Sequence, residues 1–122
     1  MARVIHFDIT AQNVDRAIKF YSDALGWKFE KWDGPMEYWL ISTGDQNAEG
    51  IDGGLARREG SDKGAELTVA VDSADQAAKK IVEAGGKIIR EKGAIPGVGW
   101  FVGCEDTKGG TFGILESDPG AK

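Results

Sequence analysis

Slid along itself by 60 residues, the chain meets its own pattern. Asp15, Ala17, Lys19, Ala24, Gly26, Gly50, Gly53 and Leu55 then fall on Asp75, Ala77, Lys79, Ala84, Gly86, Gly110, Gly113 and Leu115. These identities sit at helix starts, at helix ends and in the last strand of each half, where a repeated supersecondary unit needs them. A chain of 122 residues has little room for two independent domains, so the repeat points to two half-size modules sharing one core, a single domain over 1–122.

Each half has the same order of elements. Over residues 4–9, Ile5, Phe7 and Ile9 alternate with Val4, His6 and Asp8, which predicts a strand covered on one side, with His6 and Asp8 sharing the other. Asn13 can cap a helix whose apolar stripe is Val14, Ala17, Ile18, Tyr21 and Leu25, and Gly26 ends it. Three short strands follow at about 27–32, 36–43 and 50–57, separated by Asp33-Gly34-Pro35 and Gly44-Asp45-Gln46-Asn47. After a polar linker at 58–64, the alternation at 66–71 predicts a strand. Ser73-Ala74-Asp75-Gln76 then opens a second helix that Gly85-Gly86 closes. Strands near 87–91, 99–104 and 111–116 complete the set, and residues 118–122 are expected to fray. The expected fold is α+β, with module 1 at about 1–58 and module 2 at about 65–117, the exposed faces of their sheets meeting across a cup.

Composition narrows the function. Fifteen basic against 20 acidic residues give a net charge of −5, and the basic residues are scattered, which argues against a nucleic-acid partner. No apolar run approaches the roughly 20 residues of a membrane span. The opening residues lack a secretory pattern, so a cytoplasmic location is expected. The single cysteine, Cys104, excludes an internal disulfide and any paired-cysteine zinc site. Eighteen glycines, about twice the usual ~7%, indicate many turns and strand ends. No phosphate-binding glycine motif is present.

The string His6-Phe7-Asp8-Ile9, followed by Asp15-Arg16-Ala17-Ile18-Lys19-Phe20-Tyr21 and Leu25-Gly26-Trp27, resembles the opening of the vicinal oxygen chelate superfamily. That superfamily includes glyoxalase I, bleomycin-resistance proteins and extradiol dioxygenases. The stretch Asp106-Thr107-Lys108-Gly109-Gly110-Thr111-Phe112-Gly113-Ile114 resembles its usual ending, with Thr107 in place of a proline and Gly110 in place of an asparagine. The resemblance implies paired βαβββ modules forming an open eight-stranded cup, commonly in a homodimer. In metal-using members four ligands lie on the first and last strands of each module, and carried onto this chain those positions are His6, Gly53, Glu66 and Gly113.

Glycine has no side chain with which to bind a metal, so His6 and Glu66 supply two ligands where a catalytic metal normally takes three or more. The sole histidine also excludes the two-histidine facial triad of non-heme iron oxygenases. Asp8 could add a carboxylate, which leaves a weak or substrate-completed divalent metal site open. His6 and Glu66 could instead form an acid/base pair, because a carboxylate bonded to imidazole fixes its tautomer and raises its basicity. They could equally tie the modules together. Trp27, Trp32, Tyr38, Trp39 and Trp100 are many aromatics for so small a chain, and aromatic faces with acidic neighbours suit planar or cationic molecules. The expected function is binding of a small organic molecule in the cup, with His6 and Glu66 as polar anchors, Asp8, Trp39 and Trp100 beside them, and no required cofactor. The alternative is a metal-dependent lyase, isomerase or dioxygenase of the same superfamily.

Overall fold

The computed structural model describes residues 2–59 and 64–122, so most of the expected linker, residues 60–63, lies outside the described residues. Among the described residues, eight strands and two helices form two tandem βαβββ modules. Contacts within the chain divide it into residues 6–65 and residues 1–5 with 66–122.

The first module runs β1 (Arg3–Ala11), α1 (Val14–Leu25), β2 (Lys28–Lys31), β3 (Tyr38–Ser42) and β4 (Gly53–Arg57). Its strand order is β2-β3-β4-β1, with β1 and β4 parallel and the other pairs antiparallel. Asn13 caps α1, its side chain accepting the Arg16 N–H at 3.0 Å. At the other end Gly26, at φ 75°, donates its N–H to the Ser22 carbonyl, a left-handed cap that favours glycine. The helix lays Val14, Ala17 and Ile18 against Ala11, Ile41 and Leu55, and Phe7, Ile9, Trp27, Phe29 and Trp39 complete the cluster.

The second module runs β5 (Glu66–Val71), α2 (Ala74–Glu83), β6 (Lys87–Ile95), β7 (Gly99–Glu105) and β8 (Thr111–Ser117), in the order β5-β8-β7-β6 with β5 and β8 parallel. Two oxygens satisfy the first turn of α2: Ser73 Oγ accepts from Gln76 N at 3.2 Å and Glu116 Oε1 from Ala74 N at 2.8 Å. Its core is Ala74, Val102, Cys104 and Ile114, and burial pushes the Cys104 thiol up, away from reactivity. Strand β6 continues to Ile95, four residues past its expected end, through register shifts between Ile88 and Arg90 and between Arg90 and Gly93.

The expectation of a frayed tail is corrected. Trp100 Nε1 donates to Asp118 Oδ2 at 3.0 Å, Asp118 N donates to the Val98 carbonyl, and Gly97 N donates to the Ala121 carbonyl. Ala121 is buried at 2% exposure. Among the described residues, no helix is long and apolar enough to cross a membrane.

Residues paired across neighbouring strands face the same side of a sheet, which gives the faces of Trp39 and Trp100. Trp39 pairs with the fully buried Leu55 and packs on the α1 core. Trp100 pairs with Glu116, whose carboxylate reaches α2, and packs on the second core. Each therefore faces the helix of its own module, an orientation that parity alone did not supply because a single bulge reverses it. Each carries a lysine over its ring: Lys31 Nζ at 5.6 Å from Trp39 and Lys92 Nζ at 5.4 Å from Trp100.

Candidate functional site

On β1, alternation turns Phe7 and Ile9 to the helix and leaves His6 and Asp8 on the opposite face. Tyr38, at the start of β3, reaches across that face to both. Its hydroxyl donates to Asp8 Oδ1 at 2.5 Å and lies 3.0 Å from His6 Nε2, which is itself 3.3 Å from Asp8 Oδ1. The three groups are half-buried, with 32% of the His6 side chain and 38% of the Asp8 side chain exposed. Burial first, then the hydrogen bond to Asp8 and its charge, pushes the Tyr38 hydroxyl far above the usual phenol range, so it keeps its proton. Trp32 stands edge-on to the Tyr38 ring at 6.0 Å.

A glycine makes this reach feasible. Tyr38 pairs with Ala56, and its ring crosses diagonally over Gly54, which pairs with Asp8. A Cβ at Gly54 would overlap the Tyr38 hydroxyl and ring. Sequence reasoning counted Tyr38 only among the aromatics and missed Gly54. The available signal was the Gly53-Gly54 doublet inside a strand, since glycine there often marks the close approach of another group.

The second module repeats the plan with different chemistry. Phe101 pairs with Leu115 and its ring crosses over Gly113, which pairs with Thr68. Glu66 stands where His6 stands in the first module, but its Oε2 accepts from Thr111 Oγ1 at 2.9 Å. The Arg90 guanidinium lies 5.9 Å from the Phe101 ring. The structural counterpart of Gly113 is thus Gly54, and the 60-residue offset that pairs His6 with Glu66 slips by one on the last strand. Gly53 pairs with Phe7 and faces the helix, where a Cβ would meet the Phe7 carbonyl and ring.

The side chains at the positions that the resemblance marks for a metal have protein partners. Nε2 of His6 is engaged by Tyr38 and Asp8, Glu66 by Thr111, and an aromatic ring lies over each last-strand glycine on the face concerned. Among the described residues no group of three or more His, Cys, Asp or Glu side chains is gathered as a metal requires.

Residues 3–114 match the model of the Glyoxalase/Bleomycin resistance protein/Dioxygenase superfamily. The chain belongs to that superfamily. Within it, 50 residues are 44% identical to a putative glyoxylase of Mycobacterium bovis; the match spans 41% of this chain but only 19% of that relative's length. Among solved structures, a methylmalonyl-CoA epimerase from Mycobacterium tuberculosis superposes with a TM-score of 0.71 at 17% identity, over 96% of this chain and 89% of that one. A hypothetical protein from Bacillus halodurans gives 0.70 at 15% identity, over 99% and 98%. At these identities the likeness establishes the shared superfamily fold.

Proposed function

We propose that this superfamily member binds a small organic molecule through the His6–Asp8–Tyr38 cluster and without a complete metal site. The observation that carries the reading is the engagement of His6 Nε2 by Tyr38 and Asp8, which makes the imidazole part of a hydrogen-bonded polar anchor. Trp32 supplies an aromatic edge beside that anchor. Glu66 serves as a second polar anchor, and the protein works as a homodimer in which both modules of each chain form one functional domain.

Native mass spectrometry of gently purified protein, followed by titration with nickel, zinc, manganese and iron, tests the proposal. The expected spectrum is a metal-free dimer that retains an organic ligand. His6→Gln should lose the ligand at an unchanged melting temperature. One tightly held divalent metal per chain would overturn the metal-free reading and favour a metal-dependent lyase, isomerase or dioxygenase.

A further inference from the structure

Counting protons among Asp8, Tyr38 and His6 fixes which nitrogen of the imidazole is bare. An ionised carboxylate has no hydrogen to give and a phenol has one. The Tyr38 hydrogen is committed to Asp8 Oδ1 at 2.5 Å, the shortest contact in the cluster. The Tyr38 oxygen therefore offers only lone pairs to His6 Nε2, 3.0 Å away, and Asp8 Oδ1 offers lone pairs to the same nitrogen at 3.3 Å. A nitrogen facing two acceptors must carry a hydrogen, because the reverse arrangement sets lone pair against lone pair. A neutral imidazole carries one N–H, so Nδ1 is the unprotonated atom. It makes no hydrogen bond among the described residues.

Resting on the binding reading above, we propose that Asp8, directly and with Tyr38 beside it, holds His6 as its Nε2–H tautomer, and that Nδ1 receives a hydroxyl or N–H of the small-molecule ligand. Asp8 and Tyr38 are positioning residues, and Gly54 supplies the space that lets Tyr38 connect them. A ligand that presents a carboxylate or ether oxygen to the neutral ring would meet a lone pair at Nδ1 and bind poorly there. The preference is set by the direction of the hydrogen bonds and not by the net charge of the site.

His6 is the one histidine in the chain, so a long-range proton–nitrogen NMR spectrum of uniformly labelled protein in mildly alkaline buffer contains a single imidazole pattern. The expected pattern shows a protonated Nε2 and a bare Nδ1. Tyr38→Phe should keep it, since Asp8 still accepts from Nε2. Asp8→Ala should give a mixture of tautomers, because Tyr38 is then free to donate to the ring. An Nδ1–H form or an even mixture in the unaltered protein would overturn the assignment, as would an unchanged pattern in Asp8→Ala. If Asp8→Ala fails to fold, the other two spectra decide. Phenol and anisole, alike except for the donor hydrogen, test the ligand class: phenol should shift Nδ1 at roughly fivefold lower concentration, the value of one ordinary hydrogen bond. Equal potency would overturn that part. The tautomer is read without ligand or metal, so a wrong tautomer refutes this inference and leaves metal-free binding standing, whereas a stoichiometric metal in the titration above refutes the binding reading itself.

Discussion

Tyr38 in the first module and Phe101 in the second hold the same place. Each pairs with a last-strand residue, and each sends its ring across the glycine two positions earlier, Gly54 in one case and Gly113 in the other. The packing device is identical, and the chemistry beside it differs. In the first module the ring carries a hydroxyl that joins Asp8 and His6. In the second the ring is bare, the residue matching Asp8 is the buried Thr68, and Glu66 turns to Thr111. A duplicated scaffold thus needs only one hydroxyl and two neighbouring side chains to give one half a hydrogen-bonded cluster that the other half lacks.

The sharpest way to break this comparison is to fill both glycines. Gly54→Ala and Gly113→Ala should each cost about 1–3 kcal/mol, the usual effect of overpacking a tight site, measured by urea unfolding. Only Gly54→Ala should also shift the His6 Nε2 resonance, with the tautomer kept as in Tyr38→Phe. If both substitutions left that resonance untouched, Tyr38 would not be acting across Gly54. Exchanging the hydroxyl is next in size. Tyr38→Phe should lose about 1 kcal/mol, because a half-exposed bond to a carboxylate is stronger than a neutral one but partly replaced by water. Phe101→Tyr should stay within about 0.5 kcal/mol of the parent, since no carboxylate waits for the new hydroxyl.

Much of this fold was legible along the chain. Asn13, Gly26 and Ser73 announced the helix ends through local capping chemistry, and β5 begins and ends where its alternation does. What was illegible depends on register. Tyr38 and His6 are 32 residues apart, and their meeting requires the β3–β4 pairing and a glycine on the strand between them. The face of Trp39 and of Trp100, and the choice of Gly54 over Gly53, likewise follow from pairing that no local signal encodes. The tail was misjudged for a related reason: Asp118-Pro119-Gly120 looks like a loose end until the Trp100 indole is brought beside it.

Two smaller tests concern the second module alone. The Trp100 indole, then the Gly120 N–H, holds the Asp118 carboxyl below its ordinary range. Trp100→Phe should move its titration upward in carbon-detected NMR. Asp106, in the turn between β7 and β8, is held down to about 2 by Lys108 and by the backbone N–H groups of Gly110 and Lys108. A depressed folded-state pKa stabilises the fold above the unfolded value of about 3.9. That contribution should fade as the pH falls from there through about 2, and Asp106→Ala should remove this part of the acid sensitivity. A carboxyl midpoint near the unfolded value would show that the turn is not closed as described.

The fastening of the tail also changes how the bend between β6 and β7 should behave in heavy water. The Gly97 amide lies in a turn, at φ 76°, where exchange with solvent is ordinarily rapid. Its hydrogen is given to the carbonyl of Ala121, a residue almost wholly shielded from water, so exchange there must wait for the tail to lift. The deuteration rate of this one glycine is therefore a clock for how often the last residues leave their seat.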